Sequence, residues 1–239
     1  MAQETSSKMF RSLTYRSGHI YNFVNHLLYD WKKKFTILGK LVGKSEIPGS
    51  TLKLLDLSCG TGYLARYLDH SVDYEGWDLN VKFLNKLKLD WEKGRLKPKT
   101  LKVRVKNIFD YDDYPKEKKD VIVFSGILHH IYPNHIELVE HAKHHAKRIL
   151  ISEPYAIKPK DINAYDWTAK LFIFLTKFLP ERIYKRLDLF LADNDGINSY
   201  DSRSAWNYNE KGLRDLYISL GIKKIYSLVD ELIGIWEAE

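Results

Sequence analysis

Residues 51–69, TLKLLDLSCGTGYLARYLD, constrain this chain more than any other stretch. An apolar run of Leu52, Leu54, Leu55 and Leu57 leads into Ser58-Cys59-Gly60-Thr61-Gly62, and Leu64, Ala65 and Leu68 then recur at helical spacing. The pattern predicts a strand, a tight turn and a helix. Two glycines one residue apart let backbone approach a bound group more closely than any Cβ would permit, and a helix starting there would add free N–H groups. A nucleotide-like ligand is implied. The letters Gly60-x-Gly62-x-x-Ala65, followed by the acid Asp78, also fit the dinucleotide fingerprint of an NAD-dependent oxidoreductase. Spacing alone does not choose between these ligands.

Asp56 separates them. A carboxylate at the end of the strand, four residues before Gly60, can meet a ligand ammonium or orient the loop that does, whereas it would repel a pyrophosphate. With Asp56 included, the stretch Asp56-Leu57-Ser58-Cys59-Gly60-Thr61-Gly62 resembles the first motif of the class I S-adenosylmethionine-dependent methyltransferases, D/E-x-G-x-G-x-G, with Ser58 where that family has its first glycine. The resemblance implies an α/β fold: a Rossmann-like, seven-stranded, mostly parallel sheet with helices on both faces and an antiparallel last strand. It further implies S-adenosyl-L-methionine as cofactor and in-line attack by an acceptor atom on the sulfonium methyl. Asp56, Ser58, Cys59, Gly60 and Gly62 become cofactor-binding candidates.

The same comparison interprets the segments that follow. VDYEGWD at 72–78 reads as a second strand ending in an acid, and the two oxygens of Asp78 can accept from both ribose hydroxyls. Leu79 would lie on the adenine, Asn80 can cap the next helix, and Phe83, Leu84, Leu87 and Trp91 form its inward stripe. LKVRV at 101–105 alternates as a strand should, and it leads to Asn107 and Ile108, where the family holds the adenine edge. DVIVFS at 120–125 is a continuous apolar run, as a strand covered on both faces requires. Next comes Gly126-Ile127-Leu128-His129-His130, which resembles a segment common in small-molecule methyltransferases. Carried over, Ser125 and Gly126 lie near the amino-acid end of the cofactor, and His130 and His129 near the methyl group. Either imidazole is a candidate catalytic base, and either could instead be structural.

The outer segments carry less information. Residues 1–46 read as a helical N-terminal cap, residues 50–155 as the cofactor-binding core, 156–208 as a helical insertion or lid after the fifth strand, and 209–239 as a helix and strand pair, all within one domain. Family precedent for a cap over the cofactor makes Tyr15, Arg16 and Tyr21 substrate-binding candidates, and Arg203 joins them from a polar, turn-rich stretch. Residues 161–191 are apolar around most of a helical circumference; burial within the same chain is the default expectation, with a partner, a membrane surface or a greasy substrate as alternatives.

Composition bounds the rest. At 239 residues the chain is long enough for a large core, and its single cysteine excludes an internal disulfide framework. With no signal-like apolar segment near the start, a cytoplasmic protein is expected. The formal charge of +7 comes from lysines interleaved with acids, which reads as a solvated surface rather than a nucleic-acid face. His141 and His145 share a helical face with Glu137, but no H-E-x-x-H occurs and no metal is expected. The acceptor is expected to be a small molecule, either hydrophobic, as the greasy insertion suggests, or anionic, as the charge suggests, with peripheral membrane contact open. An NAD-dependent oxidoreductase and a non-catalytic partner- or membrane-binding protein remain the rival readings.

Overall fold

The computed structural model describes residues 11–43, 49–155, 171, 174, 178–191, 194–228 and 230–239. Its frame is a seven-stranded sheet in the order β3-β2-β1-β4-β5-β7-β6. The strands are β1 (Leu52–Leu57), β2 (Val72–Asp78), β3 (Thr100–Val105), β4 (Lys119–Ser125), β5 (Ala146–Pro154), β6 (Lys224–Ser227) and β7 (Glu231–Glu237). The first five pair in parallel, and β7 runs antiparallel to both β5 and β6. Strand order reverses between β1 and β4, so the loops leaving their carboxyl ends diverge and open a crevice.

Alternation along the central strands builds two cores. Leu55, Leu57, Ile122, Phe124, Ile149 and Ile151 face α5 (His135–Lys143) and α8 (Glu210–Ser219), whose Leu138, Val139, Leu213 and Tyr217 are buried against them. On the other face, Leu54, Val121, Val123 and Leu150 meet α3 (Trp31–Val42) and α4 (Val81–Glu92) through Phe35, Leu38, Leu84 and Leu87. Val121 to Phe124 are fully buried, consistent with the unbroken apolar run.

Three helices form the N-terminal cap: α1 (Leu13–Arg16), α2 (Gly18–Leu28) and α3. Asp30 starts α3 by accepting from the Lys33 amide at 3.0 Å, and the Lys34 ammonium reaches Glu231 of β7 at 2.8 Å, which fastens the cap to the start of that strand. The insertion contributes α6 (Glu181–Phe190) and the five-residue α7 (Tyr200–Ser204); most of residues 161–180 lies outside the described residues.

Three expectations are corrected. The glycine turn is followed by one turn of 3-10 helix, Leu64–Tyr67, and not by an α-helix. Leu68 is already extended, and Asp69 accepts from the Ser71 amide at 2.8 Å, so the chain turns into β2 before a second helical turn can form. Trp91 is 37% exposed, beyond the inward stripe of α4, and its indole N–H points to the Pro98 carbonyl at 3.4 Å. The expected burial of residues 161–191 is not met where they are described: Leu171, Phe174, Phe178, Ile183, Leu189, Phe190 and Leu191 are all exposed.

Candidate functional site

Most of the site residues picked out by sequence converge, among the described residues, on a crevice between β1 and β4. The turn after β1 is built from left-handed residues: Ser58 at φ 62°, Gly60 at 55° and Gly62 at 71°. A serine there carries strain of about 1 kcal/mol that glycine would not. The Cys59 amide donates to the Trp77 carbonyl at 2.9 Å, tying the turn to β2.

The two glycines have different tasks. A Cβ on Gly60 would meet nothing within 4 Å, because that position faces the cavity, whereas a Cβ on Gly62 would lie 2.2 Å from Leu87 Cδ1. Gly60 keeps the cradle open and Gly62 lets α4 pack close. The Gly60 amide donates to Asp78 Oδ2 at 2.8 Å, and the Asn80 amide to Asp78 Oδ1 at 2.7 Å. Each carboxylate oxygen therefore has one backbone partner and a further lone pair for a ligand. Burial raises the Asp78 pKa, against the lowering effect of those two hydrogen bonds and of Arg11.

The crevice holds about 920 Å³ of space when its open mouth is counted. Of the residues picked out by sequence, Ser58, Gly60, Asp78, Leu79, Asn107, Ile108, Ser125, Gly126, His130, Tyr15 and Tyr21 line it. Asn107 Oδ1 already accepts from the Phe109 amide at 3.1 Å. Ser125 Oγ is buried and has no hydrogen-bond partner among the described residues. An open cradle at Gly60 and an orphaned hydroxyl at Ser125 are what a bound polar molecule would fill.

Asp56, Cys59 and Gly62 do not reach the cavity wall. Asp56 lies beneath the turn, 3% exposed, and accepts from the Tyr74 hydroxyl at 2.6 Å; burial pushes its pKa up to about 7 despite that bond, with Asp78 adding to the rise. Cys59 is buried against Gly76, and burial likewise raises its thiol. Arg16 is exposed and turns back to the Arg11 carbonyl at 2.9 Å, and it is Arg11 that lines the cavity. Arg203 is buried, paired with Asp188 and donating to the Asn198 carbonyl at 2.6 Å, so it braces a loop instead of facing the crevice.

The two histidines also separate. His129 Nδ1 lies 2.7 Å from Glu153 Oε2, while Glu153 Oε1 accepts from the amides of Ile127 and Leu128 at 2.7 and 2.8 Å. Burial would raise Glu153, but His129 and these amides hold its carboxyl below the usual value. This network fixes the turn after β4. His130, in contrast, faces the cavity with Nδ1 3.2 Å from Asp195 Oδ2. Asp195 is itself held by the amides of Ile197 and Asn198 at 2.7 and 2.8 Å. Burial opposes ionisation there too, yet His130 and those amides keep the carboxyl well below its ordinary range.

Sequence reasoning missed Asp195, Ile197 and Asn198, which line the cavity from the insertion. An Asn-Asp-Gly run at 194–196 was the available signal, since such runs make side-chain-bonded turns. It does not say what the turn will face.

The dinucleotide reading loses its footing here. A pyrophosphate needs a helix N-terminus after the glycines, and a four-residue 3-10 turn does not supply one.

Comparisons with known proteins agree. No curated protein matches the sequence. Among solved structures, a CurJ carbon methyltransferase is 15% identical with a TM-score of 0.57, covering 85% of this chain and 54% of that one. An O-methyltransferase family protein from Burkholderia thailandensis is 13% identical, with a TM-score of 0.52 and coverage of 92% and 59%. The protein of a DhpI-SAM-HEP complex is 13% identical, with a TM-score of 0.55 and coverage of 93% and 92%. The chain thus spans little more than half the length of the first two, and at these identities the likeness is one of fold. A family model for the methyltransferase domain matches residues 24–205. Since that match takes in well over half of the 239 residues, the glycine turn and Asp78 among them, the chain belongs to the methyltransferase-domain family.

Proposed function

We propose that this chain transfers a methyl group from S-adenosyl-L-methionine to a small-molecule acceptor that loses a proton in the reaction. The observation that carries the proposal is one crevice holding two sets of groups: Gly60, Asp78, Asn107 and Ser125 for the cofactor, and the His130–Asp195 pair for a proton.

When bound, the cofactor supplies an electrophilic methyl on a sulfonium. The chain contributes position and proton handling. Asp78 has lone pairs for sugar hydroxyls, Leu79 and Ile108 give apolar surface for a base, and Ser125 Oγ and the open Gly60 cradle suit the amino-acid end. Holding two reactants aligned away from water can lower the barrier by about 7 to 11 kcal/mol, so much of the rate can come from this enclosure. His130 takes the acceptor proton, and the Asp195 carboxylate, with Oδ2 3.2 Å from His130 Nδ1, stabilises the resulting imidazolium. Tyr15, Tyr21 and Phe83 pack edge-on and tilted in one aromatic wall, with centroids 4.8 to 5.7 Å apart, favouring an acceptor with apolar surface. A cytoplasmic location belongs to the same proposal and is read by cell fractionation.

Calorimetric titration of the whole chain with S-adenosylhomocysteine and, separately, NADH tests the cofactor. Saturable binding of the first, at about 1 μM to 1 mM as for ordinary enzyme ligands, and its loss in Asp78→Ala are expected. Heat from NADH alone would overturn the proposal.

A further inference from the structure

Among the described residues, exposed large apolar side chains are concentrated in the cap and insertion. Leu13, Ile20 and Phe23 belong to α1 and α2, and Ile183, Leu189, Phe190, Leu191 and Ile197 to the insertion. Phe23 is 69% exposed. His19, Ile20 and Phe23 follow the 3.6-residue period and are all exposed, so this part of α2 presents one outward face.

These segments adjoin. The Ser12 amide donates to the Asn194 carbonyl at 3.0 Å, and the Thr14 hydroxyl bonds the Leu191 carbonyl, so the start of α1 lies against the end of α6. Ile197 belongs to both surfaces: it is 46% exposed and it lines the crevice. The apolar face therefore continues to the cavity mouth.

Charge selects the occupant. Residues 11–43 contain Arg11, Arg16, Lys32, Lys33, Lys34 and Lys40 but only one acid, Asp30. Arg16, Lys32 and Lys33 of the cap are exposed. Amphipathic helices rimmed with cations lie in the headgroup layer of anionic bilayers, apolar side down. No described helix is long and apolar enough to cross a membrane, so contact would be made at the surface.

We infer that the α1–α2 face of the cap, with the adjoining end of α6, docks on an anionic lipid surface and brings the crevice mouth to it. A corollary, which rests on the methyl-transfer reading, is that the acceptor is an amphiphile drawn from that surface.

The test is co-sedimentation of the full chain with phosphatidylcholine vesicles and with vesicles that also contain phosphatidylglycerol. Binding to the anionic vesicles should exceed binding to the neutral ones by about tenfold or more and weaken with salt. The double variant Ile20→Ser, Phe23→Ser should weaken it by a further tenfold or more, since each side chain withdraws apolar area from the bilayer. Its melting temperature and S-adenosylhomocysteine binding should match the parent, which shows that the fold and the cofactor site are intact. Sedimentation with neither vesicle, equal sedimentation with both, or binding unchanged in the double variant overturns docking. So does a parent dimer in ultracentrifugation that the variant abolishes, because the face would then join two copies of the chain. The vesicle assay uses no methyl acceptor, and the calorimetric titration uses no lipid, so docking and methyl transfer fail separately.

Discussion

Replacing Asp56 with Asn should make the protein less sensitive to rising pH. The carboxyl is 3% exposed and accepts, among the described residues, from the Tyr74 hydroxyl, so burial raises its pKa from 3.8 to about 7. A group whose pKa is higher in the folded state binds more protons folded than unfolded between those values, and stability falls as pH rises through that window. At 1.36 kcal/mol per unit, the full span of about three units corresponds to about 4 kcal/mol. Some two units of it lie between pH 5 and the upper limit, or about 3 kcal/mol. For a chain of this size that is roughly 6–12 °C in melting temperature. Asn fits the same volume without titrating; its extra N–H protons lack a partner and cost about 1–3 kcal/mol at every pH. The informative quantity is therefore the variant-minus-parent difference, measured without cofactor by scanning calorimetry at pH 5 and pH 8. It should move in favour of the variant by the amount above. A difference constant to within about 2 °C would refute the account of a buried, neutralisable acid beneath the turn.

Other sites give sharper single readings. Gly62→Ala combines a left-handed φ with a Cβ 2.2 Å from Leu87 Cδ1, and should cost about 2–5 kcal/mol, read as an earlier denaturant midpoint. His130→Ala should slow single-turnover methyl transfer by about 10²–10⁴, and Asp195→Asn by a smaller factor, with S-adenosylhomocysteine affinity unchanged in both; rates within a few-fold of the parent would dismiss the base. Glu153→Gln leaves the Ile127 and Leu128 amides and His129 competing for one acceptor oxygen, and should destabilise by about 3 kcal/mol in urea titration. Ser12→Pro removes the amide that bonds Asn194, and should raise the KM for acceptor several-fold while leaving the melting temperature within a few degrees of the parent.

What was legible in the sequence is what local chemistry dictates. The strand at β3, the double-sided burial of β4 and the Asn80 cap follow from period and side-chain type, and the structure has all three, although the alternation in β3 breaks at Val105, which is exposed. The cavity position of Asp78 followed from its place at the end of β2, and those of Asn107 and Ser125 from the family resemblance. The two glycines could not be told apart by letter, because the neighbour that makes Gly62 necessary, Leu87, lies on another element. The same holds for the histidines: Glu153 and Asp195 are 24 and 65 residues away, and only the fold decides which carboxylate each imidazole meets. The short 3-10 turn was hidden because Leu64, Ala65 and Leu68 have helical spacing whether or not the backbone completes a helix.

The bond from Ser12 to Asn194 joins the two covers of the crevice, one residue before the acid that supports His130. Withdrawing the cap to exchange ligands would pull that loop along and leave the imidazole without its counter-ion. Under the proposed function, the pair that would take a proton is complete only while both covers are in place.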